Sequence, residues 1–436
     1  MIEIYKLENM GRGELEKIMQ RGRSDLAKVT KATEKIIREV RKNGDDALVE
    51  YTKQWDDPQF SKGRIVVTKD EIARAYKKAG PQAVKMIRAQ IRLSKRFHKA
   101  QKKRIMGWSE KTGDGITFGE KWTAIDEVGL YIPGGKNPFP TVQQILGVAA
   151  KTAGCRRIVS CISPKGENNE VLVAANECGI REIYRAGGAQ AIAAMAYGTK
   201  TIRPVSLIAG PGNPFVTTAK RLCQERVAID TLAGPSEAII LADGTFPQGM
   251  GMQRKAELCA ADILARAEHG PDSAGVMVTD SIELASKTRE GIKRQFRGLG
   301  RKEYIRASLG TYSAIIVARD MEKAAEFTNE YAPEHLEIMT KNPQETFRKI
   351  RNAGSVFLGI WNPVALGDYA SGVNHILPTG GWAKMSSPAG VWTFMKRVQY
   401  SEATKKGAGR LLPIVRTIAG IEGLDAHKKS VEMRRW

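Results

Sequence analysis

Gly129-Leu130-Tyr131-Ile132-Pro133-Gly134-Gly135 is a short run that ends in a proline and two glycines. It is too short for a helix and is bounded by chain breakers, so it reads as a buried strand followed by a tight turn. The pattern then repeats downstream. A helix spans about Thr141 to Ala153, a strand Arg157 to Ser163, and a helix Glu170 to Cys178 that Gly179 ends. A strand follows near Ile183, and Gly187-Gly188-Ala189-Gln190 opens the next helix. A strand at Val205 to Ala209 leads through Gly210-Pro211-Gly212-Asn213-Pro214 into a helix to Cys223. This alternation implies a mostly parallel sheet with helices on both faces. Ligands of such sheets bind beyond the carboxyl ends of strands. The glycine loops at 134, 187 and 210 all follow strands, where backbone N–H groups can meet a phosphate. No Gly-x-Gly-x-x-Gly and no Gly-Lys-Ser/Thr occurs, so the usual dinucleotide and P-loop fingerprints are absent.

The same texture returns from Ala238-Ile239-Ile240-Leu241. It runs through a helix at 252–268, a strand at Val276 to Thr279, a helix at 280–296, a strand at Ala314 to Val317, a helix at 321–331 and a strand at Ser355 to Leu358. Upstream, residues 14–55 read as helices, with Val29, Ile36, Ile37 and Val40 at helical spacing and Gly44 as a stop. Ile65-Val66-Val67 reads as a strand, and Thr68-Lys69-Asp70-Glu71 as a capping box. Gly80-Pro81 breaks the helix that follows, and a longer one runs through Val84, Ile87, Ile91 and Phe97. Thr112-Gly113-Asp114-Gly115 is a turn between two strands, and beyond about 385 the texture is helical and basic.

With 436 residues, 69 Lys and Arg against 47 Asp and Glu, the chain carries a net charge of +22. The basic residues are spread out. The densest clusters, Lys95-Arg96 with Lys99 and Lys102 to Arg104, and Arg434-Arg435, lack the interleaved aromatics of a single-strand platform, so nucleic acid is not the expected partner. No run of 18 apolar residues predicts a membrane span, and Met1-Ile2-Glu3-Ile4-Tyr5-Lys6 lacks the layout of a secretory signal. Five scattered cysteines without Cys-x-x-Cys argue against a zinc knuckle or a disulfide framework. A cytoplasmic location is expected.

The chemistry concentrates on five histidines. Glu268-His269, Glu334-His335 and Asp425-x-His427 each set a carboxylate beside an imidazole, and His375 follows Gly367-Asp368-Tyr369. Such a carboxylate can orient the ring, raise its basicity or share a metal with it. His98, within a helix, reads as structural or solvent-facing. Arg266 and His269 share a helix face. His269, Asp368 and His427 suit a catalytic zinc with three protein ligands, although sequence spacing leaves their convergence open. Glu334 and His335 would then be the proton-transfer pair. A tail carrying Glu422 and His427 must fold back onto the body or reach a partner subunit.

Gly129 to Gly135, the run at 187–194, Gly210 to Asn213, Ala233-Gly234-Pro235-Ser236-Glu237, Ala267 to Gly270, Pro333 to Leu336, and Gly367-Asp368-Tyr369 with Asn374-His375-x-Leu377-Pro378-Thr379 together resemble histidinol dehydrogenase over nearly the whole chain. The resemblance implies a zinc-dependent, NAD-using homodimer with shared active sites that oxidises L-histidinol to L-histidine in two hydride transfers. It implies an α/β fold of two Rossmann-like domains with mostly parallel sheets. These would be an N-terminal helical segment at 1–28, a catalytic domain at 29–128 with 236–385, an NAD-binding domain at 129–235, and a helical tail at 386–436 that crosses to the partner. Tyr131, Gln190 and Asn213 would contact NAD. Glu334 and His335 would act as acid and base. Ser236, His335, Asp368, His375, Glu422 and His427 would contact substrate, and His269, Asp368 and His427 would hold zinc. One position departs: where the family pattern has a zinc-ligating Gln, this chain has Arg266, which stays protonated and has no lone pair for a metal. Val364 also stands where some members carry Glu. Losing an acid and gaining a base favour a less cationic substrate than histidinol. A paralogue oxidising an anionic alcohol such as a sulfonated diol, and a non-catalytic relative that binds a ligand or polyanion, are the alternatives.

Overall fold

The computed structural model describes residues 2–21, 26–134, 138–232 and 234–434. Gly135, Ala233 and Arg435 lie outside the described residues. Strand Glu127–Ile132 is apolar at consecutive positions because both its faces are covered. It is the centre of a five-stranded parallel sheet in the order Glu182–Arg185, Arg157–Ile162, Glu127–Ile132, Leu207–Ala209, Ala228–Ile229. Leu130 and Ile132 face a core shared with Ile145, Leu146 and Leu172. Tyr131 and Val159 face the other way, into a core with Ile192, Ala193 and Val216.

The helices that precede this sheet in sequence complete both cores. Val84, Ile87 and Ile91 of helix Lys69–Lys102 join the first, and Ile36, Ile37 and Leu48 of helices Ala27–Asn43 and Asp45–Trp55 join the second. These residues were expected in a 29–128 block with the catalytic segment; they build on the smaller sheet instead, whose faces would otherwise be part bare. The capping box forms, with Glu71 N–H donating to Thr68 Oγ1 at 3.3 Å, and Gly80 kinks the long helix at φ 77°. Ile65-Val66-Val67 is not a strand. It contributes a single antiparallel bridge, Val66 to Tyr184, behind a 3₁₀ turn at Lys62–Arg64.

The larger sheet has six parallel strands: Glu3–Lys6, Ala314–Val317, Ala274–Thr279, Glu237–Ala242, His335–Met339 and Ser355–Leu358. The N-terminal segment, expected to be helical, thus starts with an edge strand too short to show a periodicity. The tail also departs from its helical expectation. Met395–Ala403 is a strand paired antiparallel with Ile116–Ala124, which Trp108–Lys111 flanks on its other side. Only its first residue is buried, so the sequence carries no apolar alternation there. Helices Lys405–Ile421 and Asp425–Glu432 follow it. Among the described residues no helix is long and apolar enough to cross a membrane.

Residues 230–236 carry the chain from the carboxyl end of Ala228–Ile229 to the amino end of Glu237–Ala242. The carboxyl edge of the smaller sheet therefore lies against the amino edge of the larger one. Lys220, fully buried on helix Pro214–Leu222, ties the junction together. Its ammonium pairs with Asp230 and donates to the carbonyls of Gly210 at 3.0 Å and Thr231 at 2.7 Å, while Gly210 N–H donates to Asp230 at 2.8 Å. Removing one partner of such a pair strands the other charge in the core. Lys220→Met is expected to lower stability by about 3–5 kcal/mol in urea unfolding.

Candidate active site

Helix Met321–Tyr331 ends at Ala332, which takes a left-handed φ of 52°, and Pro333 prevents its continuation. The chain turns at once into strand His335–Met339, which delivers Glu334 and His335 to the amino edge of the larger sheet. Ser236 and Glu237 lie on the neighbouring strand, where His335 pairs with Ala238. The acid–base pair thus sits at amino ends of strands, and only the glycine loops follow the carboxyl-end rule.

Glu237 and Glu334 exchange hydrogen bonds. Glu237 N–H donates to Glu334 Oε2 at 2.8 Å, and Glu334 N–H donates to Glu237 Oε1 at 3.1 Å. Ser236 Oγ also donates to Glu334 Oε2, at 2.8 Å, and accepts from Arg266 Nη1 at 2.5 Å. Burial works against the Glu334 charge. The His335 and Arg266 cations and the Glu237 N–H outweigh it and hold this carboxyl below its usual range. His335 Nδ1 lies 3.1 Å from the Glu237 carbonyl and 3.3 Å from Glu334 Oε2. A carbonyl only accepts, so Nδ1 carries a proton and Nε2 is the ring's second, working nitrogen. Burial pushes His335 down, and the Glu334 carboxylate more than restores it, to above its ordinary value.

Asp368, on helix Val364–Tyr369, faces His335 with Oδ1 3.6 Å from Nε2 and Oδ2 3.9 Å from Arg266 Nη2. Burial opposes its charge, but His335 and Arg266 bring it down to about 2. His269, just past the end of helix Met252–Ala267, keeps an open edge to solvent. The protein packed around it, and then the Arg266 charge, lower it to about 4. Burial lowers His375 as well. Arg266 Nε, His335 Nε2, Asp368 Oδ1 and His375 Nδ1 are all buried without a hydrogen-bond partner. Buried polar atoms are normally paired, so four in one cluster mark a place for a polar ligand. Ser236 and Glu237 also line, with Thr217, Thr379 and Trp382, a cleft of about 430 Å³ between the two sheets.

The structure gathers Ser236, Arg266, Glu334, His335 and Asp368, with His269 and His375 within their electrostatic reach. It does not bring in Glu422 and His427, which are exposed on the tail of the same chain. His98 is buried, with its Nδ1 2.8 Å from the Ser94 carbonyl, so of its two readings the structural one holds. Sequence reasoning gave no role to Glu237 or to Arg21. The latter pairs with Glu237 at 2.9 Å, donates to the Tyr331 carbonyl and stacks 3.5 Å over the Tyr331 ring. Burial raises Glu237 to about 7 against the pull of Arg21. An arginine far upstream, just past the end of helix Arg12–Gln20, gives no sequence signal of such a partner.

The three NAD candidates stand on the carboxyl edge of the smaller sheet. Tyr131 ends its central strand, is buried, and accepts the Gly188 N–H at 3.1 Å. Gln190 is fully buried in the first turn of helix Gly188–Tyr197, with both amide atoms unpartnered. Asn213 is exposed and caps helix Pro214–Leu222 through the Val216 N–H at 3.1 Å. Gly210 has φ 135°, and a Cβ there would fall 2.1 Å from the Tyr131 carbonyl oxygen. A helix N-terminus, close-packed glycines and an orphaned buried amide on one edge fit a phosphate-bearing dinucleotide.

A family model described as histidinol dehydrogenase matches residues 19–435. The chain is 44% identical over 371 residues to a histidinol dehydrogenase of Methanothermobacter thermautotrophicus, covering 84% of this chain and 85% of that one. It is 45% identical over 342 residues to that of Vibrio cholerae, covering 78% and 77%. A crystal structure of histidinol dehydrogenase from Elizabethkingia anophelis superposes with a TM-score of 0.91 at 35% identity, covering 99% of this chain and 98% of that one. Histidinol dehydrogenases use NAD and bind zinc. The residues gathered here do not fit the metal. Beside Asp368 stands a guanidinium that offers only N–H groups. At about 5 Å, a divalent ion and this cation would repel by roughly 7 kcal/mol at an effective dielectric constant near 20.

Behind Arg266, Asp262 lies one helical turn back and meets Glu337, whose Oε1 accepts the Val364 N–H at 2.5 Å. Burial raises both carboxyls, Asp262 to about 6, so the pair keeps a proton in the fold. Groups raised on folding favour the native state most below their ordinary values, and that contribution is lost as pH rises through about 6. Glu337→Gln is expected to shrink the fall in urea-derived stability between about pH 5 and about pH 8 by on the order of 1–2 kcal/mol.

Proposed function

The chain belongs to the histidinol dehydrogenase family, and on that premise we propose that it oxidises a small primary alcohol through the aldehyde to the carboxylate. L-Histidinol to L-histidine is the reaction its family points to first. The observation that carries this reading is His335 Nε2, buried and without a hydrogen-bond partner, on a ring whose Nδ1 faces the Glu237 carbonyl at 3.1 Å. NAD, when bound, supplies the hydride acceptor. His335 takes the hydroxyl proton as hydride leaves the carbinol carbon, giving the aldehyde. Water then adds to the aldehyde. Glu334, an ionised carboxylate against the same imidazole, accepts a proton from that water, and hydride transfer to a second NAD leaves the carboxylate and one further proton, three in all with the one His335 took. Arg266 and Ser236 hold Glu334 in place throughout, and Asp368 faces the working edge of the ring.

Two copies acting together would give the tail its role. Ile414, Ile418 and Ile421 form an exposed apolar stripe at helical spacing, and Glu422 and His427 lie just beyond it. A tail laid across a partner subunit would cover that stripe and bring Glu422 and His427 to the other copy's cleft. A biosynthetic role supports a cytoplasmic location. Arg266 favours a second reading of the substrate, in which a small alcohol carries an anionic group that the guanidinium grips.

NADH formation from NAD with L-histidinol, and with small carboxylated and sulfonated alcohols, separates the two. His335→Ala is expected to lower kcat by about 10²–10⁴ on the accepted alcohol, with an unchanged thermal unfolding midpoint. Full turnover in that variant would remove His335 as the base.

A further inference from the structure

We propose that the Arg266 guanidinium is the cation of this active site, standing where the family's metal would stand, and that the enzyme turns over without zinc. The proposal rests on the dehydrogenase reading above and concerns how that site handles charge. Arg266 is 4% exposed and is held at both ends of its fork. Nη1 donates to Ser236 Oγ at 2.5 Å, and Nη2 lies 3.9 Å from Asp368. Ser236 in turn donates to Glu334, so swinging the guanidinium out of the cleft would break the contact that orients the acid.

The charge count points the same way. Glu334 and Asp368 bring two carboxylates to the site, and Arg266 already sets one fixed cation against them. A divalent ion added to this set would make a buried excess of positive charge, which burial penalises heavily. His269 and Asp368 alone are two ligands. Bringing in His427 of the partner subunit would complete three, but the guanidinium would still face the ion. Arg266 Nε is buried without a partner. It is a free N–H on a fixed cation, suited to an alcohol oxygen or an anionic substituent.

The test is metal content measured on the full-length protein as purified, after exposure to zinc chloride and dialysis, together with thermal unfolding with and without zinc. Wild type is expected to hold no stoichiometric zinc, to show no zinc-dependent rise in its unfolding midpoint, and to keep its turnover in a chelator. Arg266→Gln is expected to gain zinc affinity by about 10- to 100-fold, with a midpoint that rises with zinc. Arg266→Lys keeps the positive charge and should stay zinc-free. One zinc per wild-type subunit with turnover abolished by the chelator would overturn the proposal, as would equal zinc in wild type and both variants. If no alcohol is oxidised under any condition, the dehydrogenase reading fails, while zinc content still decides this one.

Discussion

Two glutamates trade hydrogen bonds across neighbouring strands: the backbone N–H of each donates to the other's carboxylate. Everything in the cleft depends on this exchange. It fixes Glu334 beside His335, and it places the Glu237 carbonyl where it claims the Nδ1 proton of the same ring. The ring is therefore oriented by backbone geometry before any ligand arrives. Holding two buried carboxylates this close is unfavourable by itself. Burial leaves Glu237 up at about 7, and Arg21 answers it from behind as Arg266 answers Glu334 from the front. Each acid has its own arginine, and the left-handed turn at Ala332 brings the pair together.

The two sheets divide the labour by direction. The smaller presents its carboxyl edge, with glycine loops and helix N-termini that suit phosphates. The larger presents its amino edge, with the side chains of Ser236, Glu237, Glu334 and His335. A seven-residue linker, 230–236, joins one edge to the other, and the buried Lys220–Asp230 pair anchors both the linker and the Gly210 loop. Register between cofactor edge and acid–base edge is thus held within the core rather than by surface loops.

Much of this was legible in the sequence. Consecutive apolar residues at Gly129 to Ile132 and at Ala238 to Leu241 announce strands covered on both faces, and Glu334-His335 announces a carboxylate set against an imidazole. What escaped has physical causes. Glu3–Lys6 and Met395–Ala403 are strands whose residues are mostly open to solvent, so no burial pattern marks them. The sheet a helix packs on is a long-range fact, which is why helices Ala27–Asn43, Asp45–Trp55 and Lys69–Lys102 were assigned to the wrong partner. Arg21 meets Glu237 across more than 200 positions, and no local pattern encodes that contact. Glu422 and His427 were legible as chemistry and not as geometry, because within one chain they stand on an exposed tail.

The cleft is also built at a cost to the fold. An unpaired buried donor or acceptor costs about 1–3 kcal/mol, and Arg266 Nε, His335 Nε2, Asp368 Oδ1 and His375 Nδ1 are four of them around one space. Packing could have removed the expense by closing the cleft with apolar side chains. Instead the surrounding cores, filled to near-zero exposure at Ile239, Ile240, Ala260 and Ile263, absorb it. A fixed cation, an imidazole nitrogen without a partner and a strongly ionised carboxylate, set side by side, have their hydrogen bonds waiting for a polar guest. Arg266 offers only N–H groups, so its part in the site is set without any ligand giving up a proton. A metal site whose ligands must first lose protons would not have that independence.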